Sequence, residues 1–545
     1  MGDHEARQHP YVVEDFDGDQ RALLRRYVTN LDRPVFALVN LPEVVKGALF
    51  ARYSRSAKSL RRLLLDEFAA DLQPVAGPPT ADPGGEAATR AGGLYQRVFA
   101  DYGDDSVAQL GGAHVAVEQA SNLLTKVVEW GRLAAYLEQS TRYLRYDDKP
   151  GGRYRYYRDP DIMASPYAAA YETELDAVFD VYARLFEPLR AWVVERFPRD
   201  ETTSERAYTK AVTAKVCDVL RGLLPAATVS NLGIFASGQA YEQLLLRLRS
   251  HELAEARLLG DLLLGELRQV IPSFMVRVDR PDRGEAWARY LADTRSATRA
   301  VTQELLAGVQ PEPVAEVTLV DWSPDAEVDL VTGMLYPHSH LPEAQLRALV
   351  GRLSPTERLR VLRAYVGDRA NRRHKPGRAL ERVWYRFDVC SDYGAFRDLQ
   401  RHRMLTIDWQ ELSPRHGYVT PAEIAEAGVE GAWHRTLERQ AALWQRLVAD
   451  LPRQAQYVVG FAWRIRYSMQ LNARAAMQLL ELRTTPQGHP SYRRIAQRMH
   501  RLIAEQAGHR AVAEMMRFVD HGEAELERLD AERAAEARRA GRPGA

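Results

Sequence analysis

The sequence predicts an α+β protein built as two tandem, helix-rich domains, each with a small central β-sheet. Three observations predict it. Most of the 545 residues carry apolar side chains at helical spacing, whereas strand-like runs are few and short. Two pairs of distant segments share one rhythm: VFALVNLPEVVKGALFARYS (35–54) with VTLVDWSPDAEVDLVTGMLY (317–336), and LLPAATVSNLGIFASGQAYEQLLLRLRS (223–250) with YVVGFAWRIRYSMQLNARAAMQLLELRT (457–484). The length also exceeds what one hydrophobic core normally organises.

Taken in order, residues 1–30 read as an acidic, polar extension and 31–275 as the first domain. That domain opens on VFALV, a short strand, followed by a proline-bearing turn and an amphipathic helix. Residues 74–93, rich in Pro and Gly, predict a flexible surface loop, and 105–130 has helical periodicity. The segment 223–250 is an apolar run, a small-polar step, then a helix closing on LRLR. Residues 276–312 form a charged helical connector ending in a proline-bearing break. The second domain, 313–520, repeats the plan, with VTLVDW and WYRFDVC as strands and 491–519 as helix. Residues 521–545 are a charged, solvated helix that frays.

Composition narrows the function classes. With 46% hydrophobic and 27% charged residues the chain reads as an ordinary soluble globular protein. Its two cysteines, Cys217 and Cys390, are too few for a disulfide framework and lack the spacing of a zinc or redox site, which favours a reducing, cytoplasmic location. The N-terminus lacks the basic start and apolar run of a secretory signal, and no segment has transmembrane length, so no membrane partner is expected. A net charge of +1 gives no support to a nucleic-acid partner. His338 and His340 lie two apart with no third ligand in view, so no metal site is expected.

Two short stretches carry the chemistry. EQSTRY sets Glu138, Gln139, Ser140, Arg142 and Tyr143 within six residues. On an extended segment its acid, hydroxyl and guanidinium project to one side, suited to a phosphate and a neighbouring hydroxyl. The alternative is an ion pair on a helix face, Glu138 to Arg142. RHR, residues 401–403, places three basic groups in a row; such a triplet either faces water or grips an anion.

Together these stretches resemble the flavin-dependent thymidylate synthases (the ThyX, or thymidylate-synthase-complementing, family), whose signature is R-H-R-x-x-S-x-N-E-x-S-x-R-Y. The second half keeps Arg401, His402 and Arg403, with Thr406 and Asp408 at the first Ser and the Asn, but has Trp409, Glu411, Ser413 and Pro414 thereafter. The first half keeps Arg132, Glu138, Ser140, Arg142 and Tyr143, with Trp130 and Gly131 at the leading Arg and His. A second block divides the same way. LNARAAMQLLELR gives Asn472, Arg474 and Arg483 where the first half has Ser237 and Gln239, and the arginine before an apolar LP run survives as Arg221 where the second half has Gln456.

The resemblance implies a duplication whose halves have specialised. The second would supply a flavin wall of Arg401, His402, Arg403, Asn472 and Arg474. The first would supply a nucleotide wall of Glu138, Gln139, Ser140, Arg142 and Arg221, joined by Arg483, with Arg403, Ser140 and Arg483 nearest the chemistry. It implies FAD as cofactor, NADPH and methylenetetrahydrofolate as co-substrates, dUMP or a related pyrimidine nucleotide as substrate, and a homodimer that mimics the family's tetramer. Arginine suits such a site because it stays charged and binds phosphate bidentately. Two other outcomes stay open: hydroxymethylation or methylation of a different pyrimidine nucleotide, and a non-catalytic flavin- or nucleotide-binding protein.

Overall fold

The computed structural model describes residues 13–53, 56, 58–68, 109–201, 203–523, 526 and 528–540; the loop expected at 74–93 lies outside them. The chain forms two compact units, one of residues 1–117, 133–137 and 233–307, the other of 118–132, 138–232 and 308–545. The second unit therefore takes in chain from both sequence halves.

Among the described residues are seven strands: β1 (Gly112–Ser121), β2 (Ala134–Glu138), β3 (Val229–Ser237), β4 (Val317–Trp322), β5 (Trp384–Asp392), β6 (Thr406–Trp409) and β7 (Arg464–Asn472). They make a three-stranded sheet, β1-β3-β2, and a four-stranded sheet, β4-β5-β7-β6; helices dominate the rest, an α+β architecture.

In the first unit, helices Gly238–Arg249 and Ala254–Val270 pack through Leu245 and Leu248 on one and Leu263 and Leu267 on the other. Those leucines recur at three- and four-residue spacing, which puts them on one face of each helix. The connector forms helix Gly284–Leu305, in which only Gly284 is buried. A Cβ there would stand 2.0 Å from the Val278 carbonyl, so only glycine fits.

The four-stranded sheet lies wholly in the second unit. In β5, Tyr385, Phe387 and Val389 are buried and alternate with Arg386 and Asp388; in β7, Ile465, Tyr467, Met469 and Leu471 alternate with Arg466, Ser468 and Gln470. This period of two seats one sheet face in the core and pins the register from Trp384↔Asn472 to Asp392↔Arg464. Helix Pro490–Glu505 packs on β4 and β5 and buries Ile495, Met499, Leu502 and Ile503.

The internal repeat is visible in backbone geometry. Four strands run directly into helices, and in each the last strand residue is the helix N-cap: Ser121, Ser237, Asp392 and Asn472 accept from the amides of Leu124, Ala240, Ala395 and Ala475 at 3.0, 3.4, 2.8 and 2.8 Å. Asn122 and Leu123 donate their amides to Thr228 and Ala226; Tyr393 and Gly394 do the same to Trp463 and Phe461, the equivalent positions of the second half. The halves then pair with each other around the bridge Pro225↔Gly460. Ala462 donates to Gly222 O at 2.8 Å and Ala227 to Tyr457 O at 2.9 Å, contacts related by a local two-fold.

Three expectations are corrected. Residues 112–121 are strand β1 and only Asn122–Val128 is helical. Ala, Val and Gln fit either period there, and pairing with β3 decides the outcome. Among the described residues VFALV forms a single bridge, Leu38 to Val28, and no neighbouring strand continues its pairing. The tail forms helix Leu529–Ala540, which packs on helix Glu205–Leu220 rather than standing free.

Candidate active site

All the retained motif residues lie in the second compact unit. β2 ends at Glu138 and helix Tyr393–Gln400 ends at Arg401. Arg397 and Arg401 are one turn apart on one helix face, and two such cations repel unless an acid lies between them. Glu138 is that acid. It accepts from Arg397 at 2.9 Å, from Lys126 at 3.2 Å and from Arg401, and none of its side chain is exposed. Burial opposes its charge, but Arg397, Lys126 and Arg401 outweigh burial and hold the carboxyl well below the usual range. Burial pushes the nearby Glu129 carboxyl up, against the pull of Lys126. Three cations therefore face one firmly ionised carboxylate, Lys126 being shared with Glu129, and Arg401 keeps 35% of its side chain exposed.

A second acid, Asp398, joins further motif residues. Arg221 Nη1 stands 3.3 Å from its carboxylate and Arg483 Nη1 3.6 Å. Burial works against the charge, and Arg221 and Arg483 drive its pKa far down. Arg483 also donates through Nε to His402 Nε2 at 2.9 Å. His402 is thus a neutral imidazole protonated on Nδ1; burial first and then Arg483 keep its pKa well below the usual value. Arg221 is buried, and its Nη2 has no hydrogen-bond partner.

The third acid is Asp218. Arg142 grips it bidentately, Nε and Nη2 each at 2.6 Å, and donates through Nη1 to Tyr492 Oη at 3.0 Å. Arg142 and Arg483 lie 5.7 and 5.2 Å from the centroid of the same Tyr492 ring, so this tyrosine links an arginine of each half. Burial opposes the Asp218 charge, yet Arg142 lowers its pKa to about 2. His489 donates through Nε2 to Asp218 O at 3.2 Å and is held neutral, by burial above all. Asp218 and His489 also line a cleft of about 430 Å³, together with Trp192, Lys215, Glu423 and Arg493.

The remaining motif residues divide. Ser140 Oγ accepts the Arg142 amide at 3.2 Å, so EQSTRY is a strand end followed by a turn, and Glu138 pairs across to the second half rather than with Arg142. Gln139 donates its amide to Asn231 O at 2.9 Å. Arg403 is half-buried, with no hydrogen bond or ion pair among the described residues. Asn472 caps helix Ala473–Arg483, and Arg474 is tied to Pro376 O at 3.0 Å and Glu381 at 3.1 Å. These two lie at the opposite end of that helix from Arg483, about 15 Å away at 1.5 Å per residue.

The degenerate part of the first-half motif has a structural use. β6 is an edge strand, and Trp130 Nε1 donates to Ile407 O at 3.2 Å while Arg132 donates to Leu405 O at 3.1 Å and Thr406 Oγ1 at 3.2 Å. Carbonyls that an edge would leave open are covered by the residues that replaced and followed the leading Arg-His.

Sequence reasoning missed Lys126, Arg397, Asp398, Asp218 and Tyr492. The Arg397–Arg401 spacing was the available signal, because like charges one turn apart call for a buried acid.

Residues 52–273 and 318–508 match the model of the family described as thymidylate synthase complementing protein, one match in each half. A UPF0159 protein of Chlamydia muridarum is 39% identical over 525 residues, covering 95% of this chain and 98% of that one. A UPF0159 protein of Thermoplasma acidophilum is 30% identical over 514 residues, covering 89% and 97%. Among solved structures, the UMP/dUMP methylase PolB of Streptomyces cacaoi, bound with 5-Br dUMP, is 19% identical; it covers 37% of this chain and 96% of that chain, with a TM-score of 0.29.

Proposed function

The chain belongs to the thymidylate synthase complementing protein family, and we propose that it is a flavin-dependent enzyme that transfers a one-carbon unit reductively to C5 of dUMP or a related uridine nucleotide. The observation that carries this reading is the ion pair between Glu138 and Arg401, which joins the two separated parts of the signature inside one compact unit.

The residues fit an anionic aromatic cofactor. Arg403 is a half-buried cation with no partner among the described residues, and neutral His402 beside it offers an Nδ1–H donor. Arg401, His402, Arg403, Asn472 and Arg474 would hold FAD. Bound there, FAD would pass the reducing equivalents of NADPH to the carbon delivered by methylenetetrahydrofolate. Glu138, Gln139, Ser140, Arg142, Arg221 and Arg483 would orient the nucleotide, with Arg403, Ser140 and Arg483 nearest the reacting atoms. The positive surplus around Glu138 and Asp398 would stabilise negative charge developing on the pyrimidine in a water-poor site. Neither cysteine is called on as nucleophile; both are buried, and burial pushes the Cys217 thiol up to about 12.

The tandem organisation (31–275 and 313–520, joined by 276–312) would let two chains build a cytoplasmic homodimer in the image of a tetramer. A second reading, hydroxymethylation or methylation of another pyrimidine nucleotide, is favoured by Asp408, Trp409 and Gln456 at positions where the family signature differs. The test is the ligand set of the purified protein by absorbance and mass spectrometry, followed by NADPH bleaching with and without dUMP. Bleaching accelerated by dUMP supports the first reading; acceleration only by another pyrimidine nucleotide supports the second. Flavin bound but indifferent to every pyrimidine nucleotide would sink both in favour of a binding protein.

A further inference from the structure

Arg528 immediately precedes the C-terminal helix, and what that helix packs against decides where Arg528 points. Glu536 accepts from Ser204 Oγ at 2.7 Å, Lys210 stands 3.6 Å from Glu532, and Arg533 pairs with Asp200. These contacts hold Leu529–Ala540 along Glu205–Leu220. They leave Arg528 only 7% exposed, its guanidinium 3.7 Å from the centroid of the Tyr143 ring.

Its Nε is buried without a partner, and the Arg528 side chain makes no hydrogen bond or ion pair among the described residues. A buried cation with no counter-ion is costly, so a fold that keeps one has placed it for an anion from outside. The acid whose charge reaches it, Asp218, is already taken up by both arms of Arg142. Arg142 and Asp218 together are neutral, whereas Arg528 brings an uncompensated positive charge to the same wall. Burial and the neighbouring Arg142 both lower its affinity for its proton, as expected for a cation waiting for an anion.

From this geometry we infer that Arg528 is a binding residue for the phosphate of the substrate nucleotide, a ligand supplied by the tail and lying outside both halves of the duplicated signature. The inference rests on the pyrimidine-nucleotide reading above. Tyr143 is the tyrosine of the R-Y pair, and its face orients the guanidinium. Arg142 keeps Asp218 neutralised beside it.

The experiment is calorimetry on the full-length protein with dUMP, deoxyuridine and inorganic phosphate, comparing wild type with Arg528→Ala, Arg528→Lys and Arg533→Ala. Melting curves of each variant establish that it is folded. Losing one charge-assisted contact should weaken dUMP by about tenfold or more in Arg528→Ala, while deoxyuridine changes by less than about twofold. Arg528→Lys should recover part of the loss, and phosphate should raise the melting temperature of wild type but not of Arg528→Ala. Arg533→Ala, which loosens the helix, should weaken dUMP less than Arg528→Ala does. An unchanged dUMP affinity in Arg528→Ala, or a parallel fall for dUMP and deoxyuridine, overturns the inference and leaves the nucleotide reading standing. Phosphate binding through Arg528 with no pyrimidine nucleotide bound would overturn the nucleotide reading instead and leave an anion site.

Discussion

Arg397 Nη2 lies 2.9 Å from Glu138 Oε1, a buried contact that joins residues 259 positions apart in sequence. Glu138 also holds Lys126 and Arg401, so its charge matters to the fold as well as to any ligand. Glu138→Gln leaves Arg397 and Arg401 around a neutral amide, with Lys126 held by Glu129 alone, and should cost about 3–5 kcal/mol, the range for breaking a buried ion pair. Chemical denaturation measures it, and a loss below about 1 kcal/mol would mean that water already screens the cluster.

Stability should fall on mild acidification. His402 and His489 have folded pKa values depressed below the ordinary 6.5, so below that pH the unfolded chain binds protons that the folded chain refuses. Their contribution is complete above pH 6.5 and is lost as pH falls toward the folded values, at up to about 1.4 kcal/mol per pH unit for each. Melting temperature between pH 7.5 and 5 should drop, and His489→Gln should flatten the drop.

Asp218 adds a separate acid limb. Its folded pKa of about 2 lies below the ordinary 3.8, so its stabilisation is present above pH 3.8 and is lost between there and about 2. Arg142→Ala removes the main force holding that pKa down and should move the acid midpoint upward.

Ligand binding should separate along the two walls. Arg403→Ala should lose flavin absorbance while the protein stays folded. Arg142→Ala should keep flavin and weaken dUMP by about tenfold or more, because Asp218 then presents an unpaired negative charge to the phosphate. Removing Asp218 as well, in Arg142→Ala with Asp218→Ala, should restore part of the nucleotide affinity. Equal loss of both ligands from either single change would contradict two distinct walls.

The junction of the halves tolerates little added volume. A Cβ on Gly460 would stand 2.5 Å from Gln440 Oε1 and 3.0 Å from Gly222 O. Gln440 in turn bonds Gly460 N, Trp463 Nε1 and Leu223 O at 3.2, 3.2 and 2.8 Å. Gly460→Ala should cost about 1–3 kcal/mol by overpacking, with flavin and nucleotide affinities falling together as the pairing loosens.

The helices of the repeated units at 229–249 and 464–483 were legible because an apolar run gave way to helical spacing at a polar step, Ser237 or Asn472, whereas the strands β3 and β7 ahead of them read only as apolar runs. The opening of the first half was not. VFALV has strand composition, but strands exist only where a neighbour pairs with them, and pairing is long-range. The motif arginines were legible as types. Their acids were not, because Asp218 and Asp398 carry no pattern until folding sets them beside Arg142, Arg221 and Arg483.

Trp130 on the edge of β6 bears on how such a chain can change over time. In an assembly of identical subunits, each substitution is imposed on every copy of the pocket at once, so a bulky indole in place of a signature arginine would alter them all. Once two copies are fused, the same replacement affects one lobe only, and the freed position can be recruited for scaffolding, as the bond from Trp130 to Ile407 O illustrates.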